Sequence, residues 1–268
     1  MLTPVYSIAK TFTAAAVLTA DIRLDAQVGE YVECPREMRA STVRSLLNHT
    51  SGLPDYGNWP DYRDAVAARE DAWTVNELLD RAAAKLKPAG QFAYSNVGYT
   101  LVRLLLQNVT GQPDLFSALQ RTVFSRLDMH DVSPLRSRAD WAGVTPSSVL
   151  DLADYDPDWV FPGTFLASPE AIETGFRQLF RGALFDPMLL LDVVPVSAPG
   201  HVFTEPGYGL GVMASGNPPR IVGHGGGGPG FTIVAVATRD GAHAAVEWAA
   251  SEVSDQPLFQ AALERLSA

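Results

Sequence analysis

The chain contains little cysteine and little lysine, and it has no long apolar or basic run. Cys34 is the single cysteine among 268 residues, which excludes an internal disulfide and a cysteine-based zinc site. No stretch is apolar over the length that a membrane-spanning helix needs. The formal net charge of −10, without a basic run, disfavours nucleic acid or an anionic membrane as the main partner.

The first seven residues also lack the basic start and the apolar block of a signal peptide. Two alternatives for the compartment follow. We expect a cytoplasmic protein if this start is genuine, and a periplasmic or secreted protein if a segment precedes Met1.

A chain of 268 residues with 47 % hydrophobic content can bury a large core as one domain or as two closely packed subdomains, and we expect a single domain over residues 1–268. Periodicity and capping residues predict helices at 7–20, 42–48, 74–86, 97–109, 114–127, 168–180 and 258–266. Apolar runs between glycine turns predict antiparallel strands at 220–224, 231–238 and 243–250. Loops are expected from the turn at 51–54 through Tyr62, at 133–162 and at 195–206.

These elements give an α/β fold of the α+β kind. Its mostly helical part is predicted at about residues 21–200, and its sheet-containing part at residues 1–20 and 201–268.

Ser7 and Lys10 lie three positions apart at the start of the first predicted helix. On a helix their side chains share one face, so the amine can reach the hydroxyl. A buried lysine with a lowered pKa can then help to take the serine proton. The same spacing also suits a capping serine and a solvated lysine. Lys10 is one of only three lysines, however, and it lies in the most apolar helix, where an unpaired charge is costly.

Tyr94 and Asn96 lie two positions apart in a predicted loop. In an extended segment both side chains point the same way, so they can face one cleft. A lysine nearby would favour the tyrosine phenolate as a general base, and the asparagine amide can donate to a substrate carbonyl. The alternative is a packed tyrosine beside an asparagine that stabilises a turn.

His224 is followed by a glycine-rich run between two predicted strands. Glycines allow a close approach of the backbone to a ligand and leave N–H groups free for an oxyanion. Because a strand and not a helix follows, the run does not fit a dinucleotide site. A plain flexible hairpin is the alternative.

Taken in order, Ser7-x-x-Lys10, Tyr94-x-Asn96 and His224-x-Gly226 resemble the three motifs of the class C β-lactamase-like serine hydrolases. This penicillin-binding-protein-like family includes β-lactamases, D-alanyl-D-alanine peptidases, D-aminopeptidases and family VIII esterases. The resemblance extends over nearly the whole chain, through the segments 46–56, 92–113, 123–132, 208–212 and 223–231.

The resemblance implies a β-lactamase/transpeptidase-like fold, with an antiparallel sheet flanked by helices plus a mostly helical subdomain, and a role for each motif. Ser7 would attack a carbonyl, Lys10 and Tyr94 would share the general-base role, and Asn96 would position the substrate. The backbone N–H groups of Ser7 and Gly227 would form the oxyanion hole.

His224 and Gly226 would bind the substrate by the same resemblance. A neutral His224, where other members carry lysine, implies a weaker anchor for a substrate carboxylate. It favours an ester or amide of a small acyl group over a β-lactam.

Members of this family carry a helix and two strands before the first motif, and those strands join the C-terminal ones in one sheet. Only six residues precede Ser7 here, so we expect the sheet to lack these strands and to have an open edge. A homodimer is expected if a second copy covers that edge.

The predicted function is that of a serine hydrolase with an acyl-enzyme on Ser7. Its partner would be a small ester, amide, β-lactam or peptide substrate of a small-acyl or D-amino-acid type, and no cofactor or metal is expected. Two alternatives stay open. A catalytically inactive binding protein would use the same cleft, and a peptide cyclase or transacylase would differ only in the acceptor admitted.

Overall fold

The computed structural model describes residues 1–144, 152 and 154–267. The helices are α1 Ala9–Thr19, α2 Val43–Leu47, α3 Pro60–Ala67, α4 Val75–Ala83, α5 Asn96–Thr110, α6 Leu115–Thr122, α7 Pro169–Phe180 and α8 Gln256–Ser267. The strands are β1 Thr3–Pro4, β2 Val132–Pro134, β3 Phe165–Ala167, β4 Val194–Pro195, β5 Pro206–Tyr208, β6 Met213–Ser215, β7 Ile221–Gly228, β8 Phe231–Thr238 and β9 Ala244–Ala249. None of the described helices is long and apolar enough to cross a membrane.

The larger sheet has six strands in the order β4-β5-β6-β7-β8-β9, and every neighbouring pair is antiparallel. Helices α7 and α8 both pack on β8 and β9. The predicted fold class, an antiparallel sheet flanked by helices, is therefore confirmed. Helix α7 and strand β4 come from the region that the sequence assigned to the helical part.

The hairpin of β7 and β8 forms the centre of this sheet. Its turn is Pro229-Gly230, with Gly230 at φ +76°, the conformation that the third position of a type II turn requires. Gly228 pairs with Phe231 on either side of this turn. Strand β7 is longer than predicted because its glycines continue to pair with β8.

A second, three-stranded sheet in the order β1-β3-β2 fixes the start of the chain. Thr3 pairs with Ala167, and the Val5 N–H donates to the Phe165 carbonyl at 3.0 Å. These short strands were not predicted, because two or three residues carry no alternation. They hold the residues before Ser7 against the body of the protein.

Helix α1 is buried along most of its length, as its alanine-rich sequence predicts. Phe12 packs edge to face on Phe176 of α7 and against Phe165 of β3, with ring centroids 5.7 and 6.1 Å apart. The Thr11 hydroxyl donates to the Gly211 carbonyl at 2.7 Å. The helix that carries Lys10 is thus held by β3, by α7 and by the connection between β5 and β6.

The predicted helices are present, and their capping signals act as expected. Thr74 and Glu77 form the capping box of α4, and Ser168 caps α7 ahead of Pro169. One helix was missed: α3 begins at Pro60 inside the loop expected through Tyr62, because proline also suits the first helical position. Of the loop predicted at 133–162, residues 145–151 and 153 lie outside the described residues.

Strand β9 forms one edge of the six-stranded sheet, and no other described strand pairs with its outer side. Two side chains reach this edge. The Val246 N–H donates to Glu173 Oε1 of α7 at 3.0 Å, and Arg265 Nη1 of α8 donates to the Val246 carbonyl at 2.8 Å. The open edge expected from the sequence is therefore partly capped by side chains.

Candidate active site

Ser7 lies in a 3₁₀ turn, Tyr6–Ile8, directly before α1. Tyr6 has φ +43°, a left-handed conformation that costs about 1–3 kcal/mol for a residue with a side chain. The Tyr6 hydroxyl donates to the Pro229 carbonyl at 2.6 Å, and its ring lies against Gly228. The hairpin turn thus holds the strained residue that precedes Ser7.

Two side chains converge on the Ser7 hydroxyl. Lys10 Nζ donates to Ser7 Oγ at 2.9 Å, and the Tyr94 hydroxyl donates to the same oxygen at 2.8 Å. Lys10 and Tyr94, which come from two separate parts of the sequence, are therefore each within proton-transfer distance of Ser7 Oγ.

The segment 94–96 is held in place by its middle residue. The Ser95 N–H donates to His49 Nδ1 at 3.1 Å, and the Ser95 hydroxyl donates to the Pro54 carbonyl at 2.9 Å and caps α5. With Ser95 buried, the neighbouring Tyr94 and Asn96 side chains both turn toward Ser7 and Lys10.

Asn96 links Lys10 to a carboxylate that the sequence reasoning missed. Lys10 Nζ donates to Asn96 Oδ1 at 2.8 Å, and Asn96 Nδ2 donates to Asp55 Oδ1 at 2.8 Å. The carboxylate can only accept, so it fixes the orientation of the amide. The second Nδ2 hydrogen is left for another acceptor.

Burial shifts the pKa values of the two groups beside Ser7 in opposite directions. It lowers the pKa of Lys10 from 10.5 to about 7, against the opposing effect of Asp55. It raises the pKa of Tyr94 well above the ordinary value, although the hydrogen bond to Ser7 acts the other way. Lys10 is therefore partly neutral near pH 7, whereas the phenolate that the sequence reasoning considered for Tyr94 is disfavoured.

A cavity of about 210 Å³ opens over Ser7. Lys10, Asn96 and Gly227 reach it, and its remaining wall is largely aromatic. The aromatic residues are Tyr6, Tyr56, Tyr62, Tyr155 and Trp159. The cavity suits a small ligand with an apolar group, since drug-sized ligands fill roughly 300–1,000 Å³.

His224 is not brought to this cavity. Its ring is 2 % exposed, Nδ1 lies 2.6 Å from the Gly225 carbonyl and Nε2 lies 2.8 Å from the Tyr208 hydroxyl. The carbonyl can only accept, so Nδ1 carries the proton and Nε2 accepts from Tyr208. Burial, with Lys10 nearby, lowers the pKa of His224 to about 3. The neutral ring supports the sheet and leaves no nitrogen free for a substrate.

Gly226 and Gly227 occupy different positions relative to Ser7. A Cβ on Gly226 would lie 2.5 Å from the Val5 carbonyl oxygen and 3.3 Å from the Ser7 nitrogen, so Gly226 permits a close backbone approach. Gly227 pairs with Thr232, one position beyond the Gly228–Phe231 pair that closes the hairpin. Hydrogen-bonded and non-hydrogen-bonded pairs alternate in antiparallel strands, so the Gly227 N–H points away from β8. Gly227 is also one of the residues that line the cavity.

Sequence reasoning did not identify Asp55 or Tyr6, nor the other aromatic residues that line the cavity, which are Tyr56, Tyr62, Tyr155 and Trp159. Asp55 belongs to the segment 46–56 that resembles the family, but neither its spacing nor its type singles it out. Tyr6 directly precedes Ser7, but its sequence position does not indicate that it lines the cavity. Within the described part of the chain, no group of three or more His, Cys, Asp or Glu residues could hold a metal ion.

Comparisons with known sequences relate this geometry to other proteins. The sequence model of the Beta-lactamase family matches residues 1–267. Penicillin-binding protein 4* of Bacillus subtilis (strain 168) is 27 % identical over 226 residues, which cover 73 % of this chain and 48 % of that protein. A putative D-alanyl-D-alanine carboxypeptidase of Escherichia coli (strain K12) is 31 % identical over 72 residues, which cover 26 % of this chain and 17 % of that protein. The chain thus spans less than half the length of either curated relative.

Solved structures share the fold. The D-stereospecific amidohydrolase from Streptomyces sp. aligns with a TM-score of 0.81 at 26 % identity, over 97 % of this chain and 86 % of that one. The D-amino acid amidase from Ochrobactrum anthropi SV3, complexed with D-phenylalanine, aligns with a TM-score of 0.77 at 22 % identity, over 99 % of this chain and 91 % of that one. Because the family match covers nearly every residue, this chain belongs to the Beta-lactamase family.

Proposed function

We propose that the protein is a serine hydrolase that cleaves the amide or ester bond of a small acyl compound through an acyl-enzyme on Ser7. The observation that carries the proposal is the convergence of Lys10 Nζ and the Tyr94 hydroxyl on Ser7 Oγ, at 2.9 and 2.8 Å. A nucleophile within hydrogen-bond reach of a group that can take its proton is the arrangement that acyl transfer needs.

Neutral Lys10 acts as the general base in this proposal. It takes the Ser7 proton as Oγ bonds to the substrate carbonyl, and Tyr94, which stays protonated, passes protons between Oγ and the leaving group. The N–H groups of Ser7 and Gly227 stabilise the oxyanion. When the carbon–nitrogen or carbon–oxygen bond breaks, the leaving group receives the proton that Lys10 held. Water then attacks the acyl-enzyme by the same route.

Asn96 positions the substrate through the Nδ2 hydrogen that Asp55 does not use. The aromatic wall of the cavity favours an apolar side chain on the acyl group. Lys10 is the only cation among the described residues that line the cavity, and it already contacts Ser7 and Asn96. A β-lactam carboxylate would lack a dedicated partner, so amides and esters are the preferred substrates.

The names of the two amide-cleaving structural relatives, a D-stereospecific amidohydrolase and a D-amino acid amidase, support a D-amino-acid amide as the substrate class. We expect turnover of D-phenylalanine amide over its L-enantiomer, and hydrolysis of p-nitrophenyl butyrate. Intact-protein mass spectrometry should detect an adduct on Ser7 after exposure to a fluorophosphonate, and a weaker or absent one after penicillin.

Ser7→Ala should abolish both adduct and turnover, whereas Ser251→Ala at an exposed position should retain them. If wild type and Ser7→Ala behave alike toward every probe, the hydrolase proposal is wrong. Thermal stabilisation by these ligands without an adduct would instead indicate a binding protein. Transfer of the acyl group to an added amine in preference to water would indicate a transacylase.

A further inference from the structure

A second cavity, larger than the one over Ser7, lies next to it. It has a volume of about 430 Å³, against about 210 Å³ for the Ser7 cavity. It lies between the start of α4, helix α5, the start of α6 and the segment 157–164 that leads into β3. Val160 and Gly163 line both cavities, so the two are adjacent. The proposed hydrolase chemistry does not use this second cavity.

Two polar side chains in its wall lack partners. Arg103 Nε and Thr164 Oγ1 are both shielded from solvent, and neither has a hydrogen-bond partner within the part of the chain that the structure describes. Arg103 also forms no ion pair within 4.0 Å of a described carboxylate. Arg103 is half-buried, and a shielded guanidinium N–H without an acceptor is costly, so a ligand that supplies an acceptor here would be stabilised.

None of the other charged side chains that line this cavity forms an ion pair with Arg103. Arg136 Nε is already bound to Asp114 Oδ2 at 2.8 Å, and Asp114 in turn caps α6. Asp158 is exposed as a whole residue, but partial desolvation of its carboxyl, together with the charge of neighbouring Asp156, raises its pKa. Burial also lowers the pKa of Arg103, although Asp158 opposes that shift. The two charges therefore influence each other without forming a contact.

The remaining wall is apolar and aromatic, with contributions from Trp73, Leu115, Phe116, Leu135 and Phe161. A ligand that satisfies both the wall and Arg103 combines an apolar body with an acceptor group that matches the guanidinium fork. We propose that this cavity is a second binding site, for a small carboxylate with an apolar body. The carboxylate would accept from Arg103 and from the Thr164 hydroxyl.

Isothermal titration calorimetry with 3-phenylpropanoate tests this site, and its neutral analogue 3-phenylpropan-1-ol reports the contribution of the carboxylate. Ser7→Ala serves as the background throughout, so that the neighbouring site performs no chemistry. We expect the carboxylate to bind with a Kd on the order of 0.1–1 mM and the alcohol at least about tenfold more weakly. Arg103→Met should weaken carboxylate binding at least about tenfold.

Three further variants test whether carboxylate affinity depends on the Arg103 side chain. Arg103→Lys keeps the charge without the fork and should bind with intermediate affinity. Asp158→Asn removes a competing negative charge and should tighten binding roughly two- to fivefold. Arg121→Met, which removes an equal charge at an exposed position of α6, should bind as the background does. Circular dichroism and thermal melts confirm that each variant is folded.

No binding by the background protein, equal binding of acid and alcohol, or full affinity in a folded Arg103→Met protein would each overturn the proposal. The last result would indicate that the carboxylate enters the Ser7 cavity instead. Failure of the hydrolase proposal would leave this test unaffected, because the Ser7→Ala background is used for every measurement.

Discussion

Burial of Lys10 reduces the stability of the fold but favours the neutral amine that the proposed mechanism needs. It is 2 % exposed, and burial lowers its pKa from 10.5 to about 7. Between these two values the unfolded chain binds more protons at this group than the folded chain does. The contribution of Lys10 to stability therefore rises with pH over that interval and is lowest below pH 7. Burial of Lys10 thus lowers the stability of the folded protein at low pH. The same burial favours the neutral amine that the proposed mechanism needs.

The rate of acylation should therefore follow the deprotonation of Lys10. We expect the rate of Ser7 labelling by a fluorophosphonate to increase with pH, with a midpoint near 7. Because the Asp55 carboxylate favours the ammonium form, Asp55→Asn should move this midpoint to lower pH. The variant keeps an oxygen that can accept from Asn96 Nδ2, so the amide orientation should persist. Stopped-flow labelling over pH 5–9 measures both midpoints.

Asp55→Ala removes that acceptor as well, and we expect a lower plateau rate in addition to the shifted midpoint. Asp80→Asn, an exposed carboxylate on α4, controls for the change in net charge. An unchanged midpoint in Asp55→Asn would show that Asp55 is only a structural support for the loop and does not act on Lys10 through Asn96.

The candidate-site residues that the sequence predicts belong to short motifs, whereas residues that reach the site only through three-dimensional contact were not predicted. Ser7 and Lys10 are linked by helical spacing, and Tyr94 and Asn96 by alternation. Asp55 reaches Asn96 across 41 positions, and no local pattern encodes that contact. His224 was assigned to the substrate because motif order does not reveal burial, whereas the structure engages both of its ring nitrogens.

At the scale of elements, the glycines of β7 determine how closely this strand approaches the turn that carries Ser7. Gly226 faces the Val5 carbonyl and the Ser7 nitrogen, whereas a Cβ on Gly227 would meet no atom within 4 Å. The sequence predicted a close approach of glycine backbone, but it could not tell which glycine approaches the protein and which faces the cavity.

Gly226→Ala should therefore push β7 away from Ser7. We expect a loss of about 1–3 kcal/mol in the free energy of unfolding, which is typical of overpacking, together with slower acylation because the Ser7 N–H moves. Chemical denaturation and fluorophosphonate labelling measure the two effects. Gly227→Ala is the matched control for stability and should unfold as wild type does. Equal stability of the two variants would contradict the close approach of Gly226 to Val5.

Longer elements were predicted from sequence because capping signals and periodicity mark them locally. Helix α4, with its capping box, and the pair β7 and β8 are examples. Strand β1 was not predicted, since its two residues gain their conformation only by pairing with β3. The three-stranded sheet that holds the residues before Ser7 therefore forms only through tertiary contacts.

At the scale of the whole molecule, the edge of the six-stranded sheet decides how the protein can associate. Exposed edges promote pairing with another chain unless side chains block them. Arg265 and Glu173 form an ion pair at 2.8 Å across this edge, and Arg265 also contacts Glu247 at 3.0 Å. Because Val246 gives its N–H and carbonyl to the same pair, a homodimer through β9 would have to displace these contacts.

Arg265→Ala should expose that edge. We expect only about 0–1 kcal/mol of lost stability, because Arg265 is 49 % exposed at its side chain and surface ion pairs contribute little. The Val246 carbonyl would become free to pair with a second copy, so dimers should form at lower protein concentration than in wild type. Sedimentation velocity across a concentration series measures this, with Arg239→Ala as a control for the lost charge at an exposed position. If both variants associate alike, β9 is not the dimer edge and the homodimer predicted from the sequence would need another surface.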